Sequence, residues 1–112
     1  MPAYNEAELL ELSVKEVTEG LRGRTGSYEV IIVENGSRDA TSEIADRLAA
    51  STAEVVTLHL EVPDYGAALR AGLLAAEGDL VVNFDVDYYD LGFIADALER
   101  LAADDQPAIV VG

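Results

Sequence analysis

Leu80-Val81-Val82-Asn83-Phe84-Asp85-Val86-Asp87 joins an almost unbroken apolar run to two carboxylates one residue apart. Such a run reads as a strand buried on both faces of a parallel sheet. Ligands of open α/β sheets gather outside the carboxyl ends of such strands. Paired oxygen ligands there suit a hard divalent cation bound to a diphosphate. Acids at a strand-to-helix turn also cap helices, but Asp90, just before Leu91, would serve that purpose alone. Asp85 and Asp87 are therefore expected to hold a metal ion. Tyr88 and Tyr89 beside them suit the rim of a sugar or base site, or simple packing.

Working outward, helix-like segments alternate with strand-like runs. Leu10, Val14, Val17 and Leu21 form a core-facing stripe in a first helix from about Glu6 to Leu21. Gly20, Gly23 and Gly26, with Arg22 and Arg24 among them, end it and make a link. The strand Tyr28-Glu29-Val30-Ile31-Ile32-Val33 follows. Ser37 or Asp39 can cap a second helix to about Ala50, with Ile44, Ala45 and Leu48 inward. A strand lies between Glu54 and Leu60, and an Ala- and Leu-rich helix runs from Tyr65 to Glu77, stopped by Gly78. After the strand ending at Phe84 come a helix from about Gly92 to Ala102 and a strand Ala108-Ile109-Val110-Val111. This order predicts βαβ units: one domain over 1–112, α/β, a Rossmann-like parallel sheet with flanking helices. Met1-Pro2-Ala3-Tyr4-Asn5-Glu6 opens the first helix with Asn5 as cap, so the chain begins where a first strand should already have ended.

Composition narrows the partners. With 112 residues there is room for one modest core, and 22 acids face only 7 Lys plus Arg. An acidic surface repels nucleic acid, and a nucleotide diphosphate would need a metal or a few placed arginines to offset the field. There is no cysteine, which excludes disulfides and thiolate metal sites and fits a cytoplasmic setting. No apolar run is long enough for a membrane span and no signal-peptide pattern opens the chain.

Glu34-Asn35-Gly36-Ser37-Arg38-Asp39 ends a strand; it makes a turn and cap, and Asn35 or Glu34 could read a nucleobase edge by hydrogen bonds, with Arg38 near a phosphate. Gly66-Ala67-Ala68-Leu69-Arg70-Ala71-Gly72 offers small residues for close helix–sheet packing, with Arg70 as a candidate phosphate or carboxylate partner. His59 has no second histidine to work with and reads as structural. A receiver domain, which also gathers acids at strand ends, needs a lysine at the end of a late strand; the sole lysine, Lys15, falls on the first helix.

In this order Pro2 to Glu6, Glu34 to Ser37, Gly66 to Gly72 and Asp85 to Asp87 resemble family 2 glycosyltransferases of the GT-A fold, especially polyprenyl-phosphate sugar synthases. The resemblance spans the whole chain. It implies that Pro2, Ala3, Tyr4 and Glu6 line a nucleotide pocket. Asp85 would lie toward ribose and metal, Asp87 would hold Mg²⁺ or Mn²⁺ on the diphosphate, and Arg70 would position these groups. It also implies transfer of a sugar, with inversion, from a nucleoside-diphosphate sugar to an acceptor such as a polyprenyl phosphate at a membrane surface. The acceptor base and acceptor half would follow Gly112, leaving the catalytic base unknown; a non-catalytic nucleotide- or metal-binding module is the alternative. The absent first strand leaves room for another chain or segment, a homo-oligomer included. Two positions depart from the family: Asn35 replaces an Asp that reads the base, and Asp64-Tyr65 replaces a Gly-Lys pair.

Overall fold

The computed structural model describes residues 1–24 and 26–102, so the apolar segment 108–111 lies outside the described residues. In chain order the elements are β1 (Pro2–Ala3), α1 (Leu10–Leu21), β2 (Val30–Asn35), α2 (Thr41–Ser51), β3 (Val55–Leu60), α3 (Tyr65–Ala75) and α4 (Leu91–Ala102). The strands form one parallel sheet ordered β1-β2-β3. Pro2 pairs with Val33 and Ala3 with Glu34, while Val30 to Asn35 pair in step with Val55 to Leu60. The first strand thus exists as a two-residue stub, secured by Val33 N donating to Met1 O at 2.9 Å.

β2 is the central strand because its β-branched run fills both faces. Val30 and Ile32 join Leu10, Val14, Val17, Ala45 and Leu48 in one cluster under α1 and α2. Val33 points the other way, toward α3, where a methyl on Gly72 would come within 3.2 Å of its Cγ2. The small residues of α3 therefore serve close packing, as the sequence suggested.

α1 starts later than expected. Asn5 takes a left-handed backbone (φ 53°), and Glu6 O accepts from both Leu9 N and Leu10 N in a preceding turn. At the far end Gly23, with φ 78°, supplies the positive angle that closes the helix. Asp64 caps α3 by accepting from Ala67 N at 2.9 Å. Asp90 caps α4 by accepting from Gly92 N at 2.8 Å and Phe93 N at 3.1 Å, as predicted.

Residues 80–84 overturn one expectation: they form no strand. Leu80 and Val81 are 39% and 47% exposed. A strand is made by its neighbour's N–H and C=O groups, and the β1 edge offers two residues of them. This segment and β2 line one cavity of about 430 Å³ together with Met1, Val17 and Leu69. No helix among the described residues is long and apolar enough to cross a membrane.

Candidate active site at the carboxyl end of the sheet

The loops after β1 and β2 are pinned to one another. Asn5 N donates to Ser37 Oγ at 3.0 Å, and Asn5 Oδ1 accepts from Arg38 N at 2.9 Å. Glu6 N donates to Thr41 Oγ1 at 2.8 Å, and Ala7 N to Asp39 Oδ2 at 3.3 Å. Asp39 Oδ1 in turn accepts from Thr41 N at 3.0 Å and Thr41 Oγ1 at 2.5 Å. The Thr41 hydroxyl, followed by backbone N–H groups, holds the Asp39 carboxyl below its usual range. These contacts fix the two loops that carry Tyr4, Glu6 and Arg38.

Pro2 and Ala3 are buried in β1, so they shape the site through backbone, whereas Tyr4 is 42% exposed beside it. Glu34 is buried and engaged: it accepts from Ser37 N at 2.6 Å and lies 3.5 Å from His59 Nδ1. His59 also meets Asp46 at 2.7 Å and Ser42 at 3.3 Å, the structural role expected of it. Asn35, 5% exposed, accepts through Oδ1 from Asp64 N at 2.8 Å, tying β2 to the start of α3. Gly36 allows this junction. Its φ is 68°, and a Cβ there would stand 2.9 Å from Pro63 Cδ.

Asp85-Val86-Asp87 alternates about an anchor. Val86 is 1% exposed within the main cluster, and its carbonyl accepts from Ser13 Oγ at 2.7 Å. Asp87 is exposed, while Asp85 accepts from Tyr65 OH at 3.1 Å. Tyr89 hydrogen-bonds Glu16, and its ring lies 6.0 Å from that of Phe84. Arg70 is exposed on α3 and makes no ion pair among the described residues.

One electrostatic relationship joins the loops. The Glu6 carboxyl is raised above its ordinary value, first by burial and then by the charges of Asp87, Asp39 and Asp85. Acids from three loops therefore share a negative field at the carboxyl end of the sheet. Among the described residues no three metal-type side chains stand close enough to hold a cation unaided. The sequence offers Asn5, Ser37 and Asp39 as caps and gives no sign that they and Thr41 join the two loops; the tolerance of Asn for a left-handed backbone is the available signal for the role of Asn5.

The family model described as Glycosyl transferase family 2 matches residues 1–112. The chain is 37% identical over 96% of its length to Glycosyltransferase AglD of Haloferax volcanii, covering 18% of that protein. It is 31% identical over its full length to Dolichyl-phosphate beta-glucosyltransferase ALG5D of Trichomonas vaginalis, covering 37% of it. Over 78% of the chain it is 33% identical to an Undecaprenyl-phosphate 4-deoxy-4-formamido-L-arabinose transferase of Pseudomonas fluorescens, covering 26% of it. The chain thus spans well under half of each of these relatives. No solved structure matches it.

Proposed function

The chain belongs to glycosyl transferase family 2, and from that premise we propose that it forms the donor-binding part of a sugar transferase using a nucleoside-diphosphate sugar. The observation that carries this is the shared field of Glu6, Asp39, Asp85 and Asp87 at the carboxyl end of a parallel sheet. Such a field repels a diphosphate unless a cation lies between them. Two carboxylates fall short of the six oxygens a Mg²⁺ or Mn²⁺ ion takes, and diphosphate oxygens and water complete the set. The residues present fit a metal that arrives with its nucleotide.

In this reading Asp85 and Asp87 hold the cation, and Tyr65 orients Asp85 through the hydrogen bond to its Oδ1. Bound there, the ion supplies charge stabilisation for a leaving diphosphate. Tyr4 flanks the nucleotide, and the pinned loops of Asn5 and Arg38 keep the pocket preformed. Arg70, exposed on α3 and in no ion pair among the described residues, is the cation assigned to the phosphates. Transfer proceeds with inversion, and the acceptor is a polyprenyl phosphate, the class named in two of the relatives above. A phosphate acceptor is already anionic and needs no strong base from this chain. Membrane association of the whole protein follows from such an acceptor.

The test is titration with UDP- and GDP-sugars, with and without Mg²⁺ or Mn²⁺, on the chain and on Asp87→Ala. Metal-dependent binding that the variant loses supports the function. A folded chain that binds no nucleotide under any condition refutes it.

A further inference from the structure

Tyr65 opens α3 from a well-fastened base. The preceding Asp64 caps the helix by accepting from Ala67 N at 2.9 Å, its carbonyl accepts from Ala68 N at 2.9 Å, and its own N–H donates to Asn35 Oδ1 at 2.8 Å. From there the Tyr65 side chain reaches the 85–87 turn, where its hydroxyl donates to Asp85 Oδ1 at 3.1 Å. A carboxylate can only accept, so the phenol is the donor. Tyr65 is 52% exposed, so its ring is not needed to fill the core. What the hydroxyl does not bring is charge. No Lys or Arg forms an ion pair with Asp85 among the described residues. The Met1 amine also feels Asp85, but burial lowers it to about 6, so at neutral pH it is largely uncharged. Asp87 and Asp85 meanwhile add to the negative field that raises Glu6. A neutral donor therefore aims a carboxylate that no ion pair offsets.

We propose that Tyr65 is a positioning residue that makes donor binding conditional on the cation: its hydroxyl fixes the direction of Asp85 and leaves the charge of Asp85 whole. A side-chain ammonium at the same reach would give Asp85 a partner charge and the diphosphate an attractive one. The phenol gives neither, so the attraction has to arrive with the metal. Fixing the carboxylate is still worth having, because an outer partner of a ligating carboxylate typically contributes about 10- to 100-fold in metal affinity. This role rests on the donor-site function proposed above and concerns what switches that site on.

The experiment titrates UDP-glucose and GDP-mannose near neutral pH, with Mn²⁺ and without metal, into the unaltered chain, Tyr65→Phe and Tyr65→Lys, each shown by thermal melting to be folded. The readout is the ratio of the affinities with and without Mn²⁺. In Tyr65→Phe that ratio should fall about tenfold or more. In Tyr65→Lys the metal-free affinity should rise about tenfold, and Mn²⁺ should add little to it, because the ammonium already holds Asp85. A Tyr65→Phe ratio equal to that of the unaltered chain, whether both affinities drop together or neither changes, overturns the role and leaves the donor site standing. A Tyr65→Lys chain that binds no tighter without metal than the unaltered chain overturns it too, since the missing charge would not be what makes binding conditional. No binding of either nucleotide by the unaltered chain, with metal or without, overturns the donor site as well. Should Tyr65→Lys not fold, the Tyr65→Phe ratio decides alone.

Discussion

Asn5 accepts the Arg38 backbone N–H at 2.9 Å from a left-handed backbone, φ 53°, that few side chains tolerate. Asn is the residue for that place because its short amide relieves the left-handed cost and supplies the acceptor. Asn5→Gly removes only the hydrogen bond, a loss of about 1 kcal/mol. Asn5→Ala adds left-handed strain and should lose about 2–3 kcal/mol. Urea denaturation ranks the two; an alanine variant as stable as the glycine variant would show that the backbone at position 5 carries no strain.

Asp39 ties Ala7 and Thr41 together, and its carboxyl is held below its usual range chiefly by the Thr41 hydroxyl. A depressed acid stabilises the fold above its unfolded pKa, and that contribution is lost as pH falls through the folded value. Glu6, the charged group facing it from the β1–α1 loop, is shifted upward and so acts with the opposite sign. Acidifying below about pH 4 should therefore unfasten the two loops. Asp39→Asn should lower stability at neutral pH and flatten the acid limb of the stability profile. A variant whose acid limb matches that of the unaltered chain would remove Asp39 from this role.

Gly36 combines two demands, a φ of 68° and an approach to Pro63 that leaves a Cβ 2.9 Å from Cδ and 3.0 Å from the backbone N. Neither partner is the loose end of a flexible side chain. Gly36→Ala should cost more than about 2 kcal/mol. It should also displace Asp64 N–H from Asn35, so nucleotide affinity falls further than stability alone explains. Thermal melting beside titration with UDP- and GDP-sugars separates the effects. A variant that melts lower but binds unchanged would mean that the Asn35–Asp64 contact survives the shift.

Why β2 and β3 were legible while residues 80–84 misled follows from what an apolar run encodes. Val30-Ile31-Ile32-Val33 and Val55-Val56-Thr57-Leu58 have each other as partners within one βαβ unit, and they pair in register. Leu80-Val81-Val82-Asn83-Phe84 is apolar at four of its five positions, yet its edge partner would be β1, which spans two residues. Hydrophobicity specifies burial, whereas a ladder needs another backbone. The same logic separates Asp90 from Asn5. Asp90 caps N–H groups two and three residues away, a local pattern that sequence shows directly. Asn5 joins residues more than thirty positions distant, which no local pattern records.

Ser13 on α1 donates to the Val86 carbonyl at 2.7 Å, and Val86, 1% exposed, seats the turn between Asp85 and Asp87. With one hydrogen bond and one valine the fold holds the backbone between two acids that repel each other. Ser13→Ala leaves a buried carbonyl without its donor and should lose about 1–3 kcal/mol. Val86→Ala removes two methyl-sized groups and should cost about 2 kcal/mol. In both variants the carboxylates remain, so a pure stability effect would leave metal-dependent nucleotide binding intact once the chain is folded. Because the turn is what sets their spacing, the expected result is weaker binding with Mn²⁺ and no change in the metal-free affinity. An equal loss with and without Mn²⁺ would show that Val86 supports the pocket as a whole and does not set the spacing of Asp85 and Asp87.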